Sequence, residues 1–219
     1  MRHQGTMKSS TSTVALGWPC FSVLVGLFLV AHPALSVADE SEAPNAGAAA
    51  TLTSGCADCH GVDGLARENL DAPVIAGMPA THIEEAIYAY RDGARQCRYE
   101  PLMCETVLHT SDARIADLAE HYASQRRGPS NEPYDGALAA MGEKIHMEHC
   151  AKCHVSPDDP NAADALGIPL HGQRGVYIRY ALKSYKDGRR KNLLDAMGEK
   201  LKQVDADGIE ALVNYYASY

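Results

Sequence analysis

The sequence predicts an all-α protein assembled from two tandem copies of one unit. Three observations carry this. Apolar residues recur at helical spacing, as in Ile83, Ala86, Ile87 and Tyr90, which fall at i, i+3, i+4 and i+7. Beyond the N-terminal segment, no alternating apolar–polar run is long enough to build a sheet. The pattern of the first half also returns in the second at a nearly constant offset, the mark of an internal duplication.

The N-terminal segment reads as a secretory signal. Residues 1–8 hold Arg2 and Lys8 and no acid, Val14 to Val30 is mostly apolar, and Ser36-Val37-Ala38 offers small residues for cleavage after Ala38. An uncleaved anchor is the alternative, but Trp18-Pro19 and Pro33 interrupt the apolar run. Cys20 belongs to this segment and is not a site residue. Residues 39–47 are small and polar and read as a disordered leader.

From Ala48 to Cys56 a short helix is expected, then Thr81 to Tyr90, stopped by Asp92-Gly93. Another helix starts near Thr110-Ser111, presents Ile115, Leu118, Ala119 and Tyr122, and ends by Gly128-Pro129. The second half repeats this plan. Ile178, Ala181, Leu182 and Tyr185 form the first face, and Asp187-Gly188 stops it. Ile209, Leu212, Val213 and Tyr216 form the later face, with Asp205 at the cap. Tyr122-Ala123-Ser124 matches Tyr216-Ala217-Ser218. Ile115 and Ile209 are 94 residues apart, whereas the intervening helix is offset by 95, so one residue shifts in a loop. The boundary falls in the polar stretch Arg126 to Pro133, giving domains at 48–128 and 134–219.

Each copy carries one chemical motif, Cys56-Ala57-Asp58-Cys59-His60 and Cys150-Ala151-Lys152-Cys153-His154. C-x-x-C-H is the attachment signature of c-type haem. Thiols three residues apart share one side of a helical turn and can both bond to the vinyl groups of one porphyrin. The adjoining His then lies under the iron as an axial ligand. Zinc would lack a ligand in each copy, or leave the paired His unexplained if four thiols shared one ion. A thioredoxin-like motif would need a βαβ setting. Two covalently bound haem c groups are therefore expected, held by Cys56, Cys59, Cys150 and Cys153 with His60 and His154 on the irons.

The repeat also nominates the sixth ligands. In the second half the only Met beyond the haem motif is Met197, and 94 residues earlier stands Met103. His60 to Met103 and His154 to Met197 both span 43 residues. The rival, Met78, aligns with Gln173, a poor iron ligand. A Met beside a haem can be core filler, but the equal spacing argues for ligation. His82, His109, His121 and His149 have no matching His or cannot swing over the far face, and His171 would serve only if Met197 did not. His/Met ligation raises the reduction potential and leaves no open iron position, which suits outer-sphere electron transfer.

Cys97 and Cys104 flank Met103, where the second half has Lys191 and Gly198. A disulfide here closes a short loop and would contribute roughly 2.5 kcal/mol by chain entropy. Two free thiols, or Cys104 on the iron, are the alternatives.

The formal charge of −8 becomes −10 once residues 1–38, with two basic side chains and no acids, are removed. That balance disfavours nucleic acid and favours basic redox partners. Export suits both haem attachment and a disulfide, so a periplasmic location with no membrane span in the mature chain is expected.

Cys56–Gly61, Pro73–Gly77, Tyr90–Gly93, Met103 and Ala119–Ser124, with Leu170–Gln173, Tyr185–Gly188, Met197 and Tyr216–Ser218, resemble the dihaem class I cytochromes c of the cytochrome c-four family. The resemblance implies two cytochrome c domains about a pseudo-twofold axis, with haem propionates near their interface. It implies electron transfer between a redox donor and a respiratory or photosynthetic acceptor, such as an oxidase or another cytochrome. Gly142–His146 and Cys153–Val155 also resemble the dihaem cytochrome subunit of flavocytochrome c sulfide dehydrogenase, which implies a flavoprotein donor. The Cys97/Cys104 pair belongs to neither pattern. A dihaem peroxidase would need one open iron and inequivalent halves, and a sensor would need an output domain.

Each half, near 90 residues, has little core of its own. Replacing all four motif cysteines with Ser should leave a chain with weak helical circular dichroism and no cooperative melt.

Overall fold

The computed structural model describes residues 46–219 except 70, 99, 157–158, 163–164 and 192–193. The expected signal and most of the leader lie outside the described residues. Among the described residues there are helices and no strands. The first half contains α1 (Ala46–Leu52), α2 (Ala57–His60), α3 (Ala80–Arg91), α4 (Pro101–Val107) and α5 (Asp112–Ser124). The second contains α6 (Gly136–His149), α7 (Gly175–Lys186), α8 (Asp195–Lys202) and α9 (Ala206–Ala217).

The long periodic helices form where expected, for the expected reasons. Ser111 caps α5 by accepting from the Arg114 backbone N–H, and Asp205 caps α9 by accepting from that of Gly208. Asp92 and Asp187 end α3 and α7, each followed by a glycine with positive φ, Gly93 at 75° and Gly188 at 70°. α5 stops at Ser124 rather than running to Gly128, because Gln125 already has extended backbone. Helices α4, α6 and α8 go beyond the periodic reading. α4 and α8 are too short to show a period, and α6 presents a face of small residues instead of a bulky apolar stripe.

That small face lets α6 cross α9 closely. An ideal Cβ built at Gly142 would lie 2.1 Å from the Ala211 carbonyl oxygen and 2.7 Å from Tyr215 Cβ. Only a residue without a side chain permits this approach. α9 is the centre of the second core, where Ile209, Leu212, Val213 and Tyr216 are almost fully buried beside Ile178 and Val204. In the first half α5 plays the same part, packing Leu118, Ala119 and Tyr122 against Ile83 and Met78.

The halves are joined by side chains that satisfy backbone groups across the junction. Gln173, 1 % exposed, accepts from the Val74 N–H at 2.8 Å and donates to the Val74 carbonyl at 2.8 Å. Buried Arg174 donates to the carbonyls of Leu65 and Ala66 and pairs with Glu132. The linker is tied to the C-terminus by Ser130, whose N–H donates to the Tyr219 carbonyl and whose hydroxyl donates to that of Ala217. Gln173, which breaks the Met pattern of the first half, thus serves the junction.

Gly142→Ala should destabilise the holoprotein by about 1–3 kcal/mol, the usual cost of overpacking a tight contact. A lower denaturation midpoint with an unchanged m value would report it.

Candidate functional site

Both motif histidines are oriented by the backbone. His60, 7 % exposed, ends α2, and its Nδ1–H donates to the Pro73 carbonyl at 3.0 Å. His154 Nδ1–H donates to the Ile168 carbonyl at 2.9 Å. A carbonyl only accepts, so the proton resides on Nδ1 and Nε2 keeps its lone pair for a metal. Burial pushes both imidazoles below their usual pKa, while the carbonyl bonds act in the opposite sense. Gly167 lies against the second imidazole, so closely that an ideal Cβ there would be 2.5 Å from His154 Nδ1.

Beside His60 opens a cavity of about 520 Å³. Cys56, Cys59 and His60 line it together with Met103, the set that the motif and the repeat nominate. Met78 lines it too, but is 5 % exposed and packed into the core with Ile83, Leu118 and Tyr122. Met103 is half-buried on α4 and packs beside Tyr90, Cys104 and Val107. In the second half Met197 is half-buried on α8. Met103 and Met197 hold the same place in their helices, the third residue. An apolar chamber with two thiols, a bare imidazole nitrogen and a thioether fits a covalently attached haem. No group of three or more His, Cys, Asp or Glu able to hold a metal ion occurs among the described residues.

The second half walls part of the first cavity through Ile168, Val176, Tyr177 and Tyr180. Periodicity could not reveal this, because it places residues on a face but not across a junction. The carbonyls of Pro73 and Ile168 were also hidden. Their signal is the pair of segments Pro73–Gly77 and Ile168–Gly172, each anchored by a glycine N–H to the carbonyl of Tyr122 or Tyr216.

Cys97 and Cys104 form a disulfide with an S–S distance of 2.06 Å, so Cys104 is not an iron ligand. The four motif cysteines make no disulfide. The remaining histidines serve other ends. His121 bonds the Val62 carbonyl, His146 bonds the Tyr216 hydroxyl, and His171 bonds the Tyr215 hydroxyl. His82 lines the first cavity.

No family model matches the chain. A thiosulfate dehydrogenase electron acceptor of Stutzerimonas stutzeri (strain A1501) is 26 % identical over 93 % of this chain and 95 % of its own length. Cytochrome c-554(548) of Halomonas halodenitrificans is 41 % identical over 70 residues, which cover 32 % of this chain and 83 % of that protein. A solved cytochrome c4 of Acidithiobacillus ferrooxidans superposes with a TM-score of 0.65 over 76 % of this chain and 99 % of that one, at 24 % identity. The fold and the paired haem motifs define a c-type cytochrome of class I. The chain belongs to the c-type cytochromes, is similar to the dihaem cytochromes c4 in having two such domains in tandem, and is an electron-transfer protein with two covalently bound haem c groups.

His146 and His171 are buried, 3 % and 2 % exposed, and burial lowers both pKa values to about 4. In the unfolded chain they titrate near 6.5, so unfolding takes up protons between pH 6.5 and 4. Stability should therefore fall as pH drops through that window. His146→Leu/His171→Leu should show a shallower slope of unfolding free energy against pH.

Proposed function

We propose that the chain is a periplasmic shuttle in which Cys56, Cys59 and His60 hold one haem and Cys150, Cys153 and His154 the other, with Met103 and Met197 closing the irons. The carrying observation is that His60 and Met103 line one cavity and stand 43 residues apart, the spacing repeated by His154 and Met197. Bound haem supplies a reversible one-electron couple. The protein does the rest with fixed groups. Pro73 and Ile168 hold each imidazole in one tautomer, the two Met side chains exclude external ligands, and apolar walls keep water away. Domain limits at 48–128 and 134–219 belong to the same reading.

The whole-length similarity to a thiosulfate dehydrogenase electron acceptor favours a second version, in which the donor is a dehydrogenase acting on a sulfur compound. The flavoprotein of a sulfide dehydrogenase is another donor of that class. Either is compatible with an acidic acceptor docking on a basic patch of its donor.

Reduced wild-type holoprotein should bind no carbon monoxide under native conditions. Met103→Ala and Met197→Ala should each bind one equivalent per chain and lose half of the red band of Met-ligated ferric haem. Opening of the first iron by Met78→Ala, with Met103→Ala silent, would reassign the ligand.

A further inference from the structure

The wall of the first cavity includes a carboxylate, Glu100, with Arg95, Tyr90, Tyr177 and Tyr180 around it. Glu100 immediately precedes α4, the helix bearing Met103. Its partner comes from the other half. Arg190 Nη2 donates to Glu100 Oε1 at 2.5 Å and lies 3.5 Å from the Tyr90 hydroxyl, while Nη1 donates to the Tyr177 hydroxyl at 3.2 Å. The guanidinium is set over the rings of Tyr177 and Tyr180, with centroids 5.4 and 5.2 Å away. Both charges are withdrawn from water, with side-chain exposures of 5 % for Arg190 and 16 % for Glu100. Burial pushes the Glu100 carboxyl up, but Tyr90 and Arg190 together hold it below the usual carboxylate range, so it is charged at neutral pH.

The pair is not a product of the duplication. Arg95 and Arg190 are equivalent, each bonding its N–H back to its preceding helix, at Ala89 and Ser184. Glu100 has no such equivalent. Leu194 and Asp195 occupy its place in the second half, both exposed, and no ion pair of Arg95 occurs among the described residues. A built-in charge asymmetry therefore sits at one cavity.

We propose that the Glu100–Arg190 pair tunes the reduction potential of the first iron, with the second half supplying the cation that offsets a carboxylate in the first. The inference rests on His60 and Met103 being the ligands of that iron. A charge in a poorly solvated wall acts on an iron nearby with little screening. Loss of the cation leaves Glu100 uncompensated and favours the ferric state. Loss of the carboxylate leaves Arg190 and favours the ferrous state. Glu100 and Arg190 ligate no iron in this scheme and are tuning residues.

Spectroelectrochemical titration of the full holoprotein tests this, with Met103→His used to mark the first iron by moving its wave downward. Arg190→Gln should lower that wave and Glu100→Gln should raise it, while E100Q/R190Q should return close to wild type and the second wave should move less in every case. The shifts should persist at high salt. Arg190→Lys keeps the charge and should move the wave less than Arg190→Gln. Shifts of one sign in both single variants, or equal shifts in Arg190→Lys and Arg190→Gln, would mean simple loosening of the junction and would overturn the proposal. A Met103→His variant that moves neither wave would overturn the ligand assignment first, and this proposal with it.

Discussion

The structure depends on one recurring hydrogen bond, from the Nδ1–H of a motif histidine to a backbone carbonyl thirteen or fourteen residues on. It fixes the tautomer, aims Nε2 and sets the depth of the ring. Everything around it serves to hold the two partners in place. The single turn of α2 presents His60 beside its paired thiols. The loops through Pro73 and Ile168 are pinned in turn by glycine N–H groups to the last turns of α5 and α9. Those two helices carry the most deeply buried tyrosines, Tyr122 and Tyr216, each about 2 % exposed or less. The chain of constraint runs from helix end to loop to imidazole, twice.

Much of this was legible in the residues. C-x-x-C-H states its chemistry in five positions, and a 94-residue repeat turns one ambiguous Met into a matched pair. The amphipathic faces of α3, α5, α7 and α9 are long enough to declare a period. What stayed hidden has physical causes. Helices of seven or eight residues, such as α4 and α8, span too few turns to show periodicity. α6 buries a seam of small residues that looks polar and weak in one dimension, and its close crossing at Gly142 appears only beside α9. The burial of His146 and His171 does not show in the sequence because their hydroxyl partners, Tyr216 and Tyr215, are 70 and 44 residues away.

The repeat also shows where the halves have diverged. Gln173 has given up the apolar role of Met78 and reads the Val74 backbone through both its N–H and its carbonyl. Arg174 donates to the carbonyls of Leu65 and Ala66. Among the described residues the disulfide stands next to Met103, and the partly buried carboxylate of Glu100 lines the first cavity. These departures lie at the junction or at the first site, so the halves share one scaffold while offering their cofactors different surroundings.

Tyr177 and Tyr180, which close the first cavity, are encoded more than a hundred residues after the thiols that anchor its haem. A chain made from its N-terminus presents the first attachment motif before the far wall of that pocket exists. The first pocket is thus completed only once the second half has been made, whereas Ile168 and Met197, which serve His154, follow their own motif within 43 residues. Maturation of this molecule has a direction, written into the order of its residues and not into the two haem motifs themselves.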